Sequence, residues 1–445
     1  MSKLPRHTPL AVLLALLPAT QAPGDTSNTR LEIPSSFNPV GSGARALGMG
    51  GAFIPVADDA TAASWNPGGL VQLEKPEISI VGDGLWRSED NTFALRPEGS
   101  HSGDTSATRL NYLSASYPFT ALDHNMIVSL NYQNLFEFGR DWDFHLNTQA
   151  GILQTNDHYN YTQDGALHAL GLAYAAQITP TLSLGATLNL WNDFLEPNRW
   201  QQRYQINSTG TLGGMPFLLS RDKREQYDFS GVNMNLGLLW QFTPKLTLGA
   251  VIKTPFDADI THTTTEGFNQ RFPDAPEANT TQDPFTTRTD ETLKMPLSYG
   301  LGLAYRHSDR LTLAMDIYRT EWSRFTLVGA DGVERSPLSG RPRSQVDGIK
   351  DTLWVRAGGE YLFITDEYVI PLRAGLFYDP APTEGGTDDF YGFSLGSGIG
   401  WRNFIFDLAY QYRIGRDVGE ASLPQVGLSQ DVTEHRLYAS LIVHL

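Results

Sequence analysis

The chain has 445 residues, 49 of them acidic and 33 basic, and its formal net charge of −16 argues against a nucleic-acid partner, which would need a basic face. It contains no cysteine, which argues against a disulfide scaffold, a thiolate metal site, cysteine catalysis and a lipoprotein anchor. Only 18% of residues are charged, yet no internal apolar run approaches the roughly 18 residues of a spanning helix.

The first element is an export signal. Lys3, Arg6 and His7 precede an apolar run over 10–17, and small residues follow around 19–24. Cleavage after Ala22 would leave Pro23 first, so the bond after Gly24 is expected and residues 1–24 are assigned to a signal peptide. Residues 25–76 come next, rich in glycine and alanine but carrying Phe37, Phe53 and Trp65. A solvated tail rarely holds that much apolar surface, and glycines let backbone pack in a confined space. The segment is expected to fold as a hatch inside a barrel.

From residue 77 onward, strand-like runs alternate with two kinds of connection. Short ones fall at 120–123, 179–180, 243–244, 307–309, 365–367 and 402–403. Long ones fall at 87–108, 137–164, 195–228, 256–292, 328–350, 379–389 and 415–432. Strict interleaving of short and long connections is the asymmetry of an outer-membrane barrel, with periplasmic turns and extracellular loops. The breaks give about fourteen strands, an even number as such barrels require. Both termini are then periplasmic, and residues 77–445 form the transmembrane barrel. The strand-like stretch 203–212 is assigned to an extracellular loop, because counting it as a span would break the parity.

Period-two alternation holds along each run. Leu182, Leu184, Ala186, Leu188 and Leu190 oppose Ser183, Gly185, Thr187, Asn189 and Trp191. Phe404, Phe406 and Leu408 oppose Asp407 and Ala409. At the C-terminus, Leu437, Ala439, Leu441, Val443 and Leu445 share one face, with Tyr438 and Ser440 on the other. This is a closing strand with one face toward lipid and one toward a polar lumen. Trp191, Trp240 and Trp401 suit the aromatic girdles of such a barrel.

Three blocks carry a family resemblance. The segment Asp58-Asp59 through Trp65-Asn66-Pro67-Gly68 resembles the Asn-Pro-Ala hatch motif of the long-chain fatty-acid transporters (FadL/TodX-type outer-membrane proteins), with Gly68 where that family usually has alanine. The blocks 351–361 and 371–382 resemble the same family. The resemblance implies an all-β, fourteen-stranded antiparallel barrel with an N-terminal hatch, passing hydrophobic compounds through the lumen and out sideways into the membrane. The block 43–53 also resembles the branch that contains type IX secretion shuttle proteins, so protein secretion or assembly is the alternative function.

A fatty acid needs an apolar path and a cation for its carboxylate. Arg356, Arg373 and Arg413 fall on lumen-facing parity with Glu360 and Asp407, and Arg45 in the hatch is a further gating candidate. They form either a carboxylate-binding cluster or an ion-pair network that satisfies itself. The turn at 365–367 sets the register so that Arg356 opposes a position near 376, which brings Arg373 diagonally toward it with Glu360 between.

No catalytic residue, cofactor or metal is expected. Gly392-Phe393-Ser394-Leu395-Gly396 matches the nucleophile-elbow pattern, but here it alternates along a strand rather than making a strand-to-helix turn. Gly41 to Ala46 matches the dinucleotide fingerprint with no strand before it. The ten histidines show no ligand spacing on a helix. Asp257 and Asp259 read as a solvated loop. The expected partners are hydrophobic small molecules such as fatty acids, with outer-membrane lipids and lipopolysaccharide around a monomer.

Overall fold

The computed structural model describes residues 37–445, and the expected signal peptide (1–24) and the start of the expected hatch (25–36) lie outside the described residues. Fourteen antiparallel strands close into a barrel. They are β1 Glu77–Phe93, β2 His101–Ala121, β3 His124–Ala150, β4 Leu153–Thr179, β5 Leu182–Trp191, β6 Met215–Thr243 and β7 Leu246–Lys253. The second half comprises β8 Ser298–Arg306, β9 Leu311–Thr320, β10 Thr352–Ile364, β11 Tyr368–Tyr378, β12 Phe390–Trp401, β13 Phe404–Val418 and β14 Leu428–His444. Closure runs from the pair Glu77 and His444 to the pair Phe93 and Leu428, which leaves β1 and β14 no open edge.

Alternation decides which side chains meet lipid. Leu437 and Leu441 point outward and are exposed, whereas Tyr438, Ser440 and Ile442 are buried inside. The same split runs through β9, where Leu313, Met315 and Ile317 are exposed and Ala314 and Asp316 are buried. An outward belt of large apolar residues is the surface a bilayer covers.

Two expectations need correction. The long connections over 137–164, 195–228 and 256–292 are not loops. β3, β4 and β6 continue past the apolar belt; the non-spanning strand Arg199–Leu212 pairs with β4 and β6, Phe256–Arg271 pairs with β6, and Thr280–Met295 pairs with Phe256–Arg271. The stretch 203–212 is therefore a non-spanning strand rather than loop. In this extension the outward positions become polar, such as Asp141, Asp143 and His145, while Trp142, Phe144 and Leu146 stay buried. Hydropathy alone reads that change as a loop, although the period of two continues. The second correction is Trp191, which is buried against Phe229 and Phe256 instead of standing in a girdle. Trp240 and Trp401 do face outward.

The segment from Phe37 lies inside the barrel. Asn38 and Pro39 pair with Glu137 and Phe136 of β3, and Val40 N donates to the Leu135 carbonyl at 2.9 Å. Two short helices follow, α1 Ala44–Gly48 and α2 Ala62–Trp65, then a 3₁₀ turn over Pro67–Gln72. Alanines 46, 52, 57, 60, 62 and 63 pack with Met49, Phe53 and Leu70 in one apolar cluster that includes wall residues Ile127 and Ala173.

Candidate functional site

The hatch seats on a wall made for backbone. Inward positions of the barrel are glycine where the hatch comes closest: Gly237 lies against Asn66 and Pro67, Gly358 against Met49, and Gly375 against Met49 and Gly50. A methyl group at any of these would overlap hatch main-chain or Asn66 side-chain atoms, so the close approach requires glycine. Between the glycines stand polar side chains that satisfy hatch peptide groups. Asp316 accepts from Phe53 N (2.7 Å) and Ile54 N (2.9 Å). Ser183 donates to the Gly68 carbonyl (2.6 Å), Thr187 to Ala63 (2.8 Å) and Tyr112 to Ala60 (2.6 Å). Ser394, the centre of the elbow-like pattern, donates to the Gly48 carbonyl (3.0 Å) and so serves the seat.

The hatch motif holds the segment's own turn. Asn66 Nδ2 donates to the carbonyls of Ile54 (2.8 Å) and Leu238 (2.9 Å), and its Oδ1 accepts from Gly68 N (3.1 Å), capping the 3₁₀ turn that Pro67 begins. One side chain thus ties hatch to wall and hatch to itself. Trp65 donates to the Ser42 carbonyl (2.7 Å) and meets Phe53 edge-on. Asp59 accepts from both the Thr61 amide and hydroxyl (2.9 and 2.5 Å). Burial pushes its carboxyl above the ordinary range, with the nearby Arg45 guanidinium opposing.

The charged candidates form two separate groups. In the first, Arg45 reaches Asp58 and donates to both oxygens of Glu360 (3.1 and 3.0 Å). Glu360 also accepts from Arg373 Nε (2.6 Å), and Arg373 Nη1 donates to Asp407 (2.5 Å). In the second, Arg356 and Arg413 share Asp379 at 3.7 and 3.3 Å, and Arg413 reaches Glu434 at 3.2 Å. Arg356 and Arg373 therefore do not converge. The register is one residue beyond the expected one: Glu360 stands directly opposite Arg373, and Arg356 opposite Phe377. Arg373 is neutralised across the hairpin and along β13, while Arg356 leans over Trp354 (4.7 Å to the ring centre).

Above the hatch, toward the long-loop end, the lumen opens into a cavity lined by Val40, Trp65, Phe136, Trp191, Phe256, Met295 and Tyr318. Its wall also carries the cations Lys253 and Arg356, the carboxylates Asp316 and Asp379, and the amides of Asn189, Asn233 and Asn235. Lys253 lies 6.0 Å from the centre of the Tyr318 ring and has no ion-pair or hydrogen-bond partner among the described residues. Arg356 Nε is buried without a hydrogen-bond partner among the described residues. Lys253 was missed in the sequence, although its parity with Gly249 and Val251 along β7 places it on the lumen side. Asp316 was missed too, and its signal was a lone carboxylate flanked by Met315 and Ile317 on a lipid-facing strand.

The sequence model of the outer membrane protein transport proteins (OMPP1/FadL/TodX) matches residues 37–422. No curated protein matches the chain in sequence. Among solved structures, a Pseudomonas aeruginosa FadL homologue is 14% identical with a TM-score of 0.58, covering 92% of this chain and 98% of its own. The CymD monoaromatic hydrocarbon channel is 16% identical with a TM-score of 0.53, over 92% and 99%. The Pseudomonas putida toluene transporter TodX is 14% identical with a TM-score of 0.52, over 93% and 96%. These likenesses establish a shared barrel fold. With the sequence model matched over most of its length, the chain belongs to the OMPP1/FadL/TodX family of outer-membrane proteins that transport hydrophobic compounds.

Proposed function

We propose that this barrel takes up hydrophobic molecules carrying one carboxylate, of which long-chain fatty acids are the type, by passive movement past the hatch. The long-loop end faces outward and both termini face the periplasm, in a protein that acts as a monomer and is not an enzyme. The observation that carries this reading is Lys253, a cation with no ion-pair or hydrogen-bond partner among the described residues, in a cavity whose aromatic wall is joined by Asn189, Asn233, Asn235, Asp316 and Asp379, with Arg356 beside the same space. A buried charge without a counter-ion is costly, and a bound carboxylate would supply the missing partner while the tail covers the aromatic wall. The Arg45–Glu360–Arg373–Asp407 network supports a different role: its donors are already engaged, which suits holding the hatch.

A second reading has its own support. The cavity is rich in aromatic rings, and two proteins of similar fold are described as a monoaromatic hydrocarbon channel and a toluene transporter. Secretion of protein cargo fits less well, since the hatch among the described residues packs against the wall from β3 round to β12. Lys253→Met separates the first two readings, because it keeps length and removes charge. Binding of a fluorescent fatty acid to the purified protein should weaken about tenfold or more, as expected for a lost charge-assisted contact, while toluene binding stays the same. Equal change for both ligands would favour the hydrocarbon reading and end the carboxylate one.

A further inference from the structure

We propose a site for a divalent transition metal on the outer face of the β3–β4 hairpin, ligated by Asp143, His145 and His158. His145 and His158 are direct cross-strand partners, and their rings stack in parallel with centres 4.3 Å apart and 2° between planes. Asp143 precedes His145 by two residues and so shares its face, and its carboxylate lies 2.8 Å from His158 Nε2. One ligand atom from each of the three residues lies within 4.8 Å of the others. No helix spacing could reveal this set, because the pairing register of two strands assembles it.

The donors select the ion. Two imidazoles and one carboxylate suit Zn²⁺, Ni²⁺ or Cu²⁺, whereas Ca²⁺ and Mg²⁺ prefer oxygen donors alone. Asp143 and His145 are exposed and His158 is half-buried, in the polar extension beyond the apolar belt, so an ion reaches them from water. His145 has no hydrogen-bond partner among the described residues, which leaves its ring nitrogens available. Asn160, opposite Asp143, donates to the second carboxylate oxygen at 3.4 Å and would orient the ligand from outside the first shell of donors. Three protein ligands leave positions open for water or an exogenous donor. Bound metal would join two strands near the hairpin tip at Gly151.

The test is a Zn²⁺ titration of the chelator-treated full-length protein in detergent, in competition with a chromophoric chelator. One equivalent should bind with micromolar affinity, releasing protons and weakening as pH falls, because imidazole must be neutral to ligate. His145→Ala and His158→Ala should each weaken binding about tenfold or more, while His307→Ala, on a distant turn, should not. Excess Ca²⁺ should fail to displace Zn²⁺. Substoichiometric binding, or equal binding by the His145→Ala/His158→Ala double variant of unchanged gel mobility, would overturn the site.

Discussion

The hatch seat and the long-loop extension fill the same barrel with opposite chemistry. At the seat, glycine backbone meets hatch backbone, and side-chain donors and acceptors such as Ser183, Thr187 and Asp316 close the remaining peptide groups. In the extension, rings stack from strand to strand: Phe138 on Trp200 at 4.8 Å, Trp200 on Tyr227 at 4.7 Å, and Tyr227 on His262 at 4.2 Å. Phe37, at the start of the described chain, inserts edge-on between Phe138, Trp200 and Phe325 and so touches the aromatic system from below. Each seat hydrogen bond is worth about 1 kcal/mol net because water can replace it, whereas a buried aromatic side chain is worth about 3–5 kcal/mol when truncated. The hatch adds contacts of the exchangeable kind to its apolar cluster around Met49, Phe53 and Leu70. The sheet that frames the entrance rests on the permanent kind.

The largest way to break this contrast is to fill the seat. Gly375→Leu puts a side chain where Met49 and Gly50 lie, and no rotamer avoids the hatch main chain. The barrel should still fold, with heat-modifiable gel mobility, but conduct ions steadily in planar bilayers, whereas the parent is expected to stay closed. A variant as closed as the parent would mean that the glycine wall does not set the hatch position. Next in size, Trp200→Ala removes the centre of the aromatic stack and should destabilise the extension by about 3–5 kcal/mol. Hydrogen exchange over 199–228 would report it, with conductance unchanged. A rise in conductance instead would show that the extension also seals the pore.

The contrast also explains what the sequence made legible. Strands over the lipid belt were readable because Leu, Val and Phe alternate with Ser, Asn and Gly, and short turns such as 179–180 cut them cleanly. The extension was missed because its outward residues, Asp141 to His145 among them, are as polar as a loop. The hatch was legible as a class of segment, from Phe53 and Trp65 among small residues, but its seat was not. Gly358 and Gly375 look like gaps in a strand pattern until another backbone is placed against them. The charged groups suffered from a one-residue register step, which decides whether Glu360 meets Arg373 head-on or diagonally. Lys253 stands at the end of a plain strand outside the motif-bearing blocks, so only its parity marks it as facing the lumen.

The smallest effect tests the charged cluster at the end of the extension's aromatic stack. His262 sits at the end of the aromatic stack, 3.5 Å from both Glu225 and Glu291. Burial opposes its charge, but hydrogen bonds and attraction from the two carboxylates outweigh it and lift its pKa from 6.5 to about 9. Glu225 moves the other way, to about 2, because His262 and Lys223 overcome the cost of its burial. A group raised in the folded state stabilises fully below its unfolded value and loses that contribution as pH rises through the folded one. His262 should therefore stabilise the extension fully below about pH 6.5 and progressively less toward pH 9, by up to about 3 kcal/mol at roughly 1.4 kcal/mol per unit. Glu225 acts only on the acid side, from 4.5 down to about 2, so the two contributions overlap in a plateau between pH 4.5 and 6.5. Comparing the parent with His262→Gln at each pH cancels the intrinsic pH dependence of hydrogen exchange. The difference in protection over 256–271 should be greatest near pH 6 and shrink toward pH 9. A difference that stays constant across that range would mean the ring contributes through stacking on Tyr227 alone.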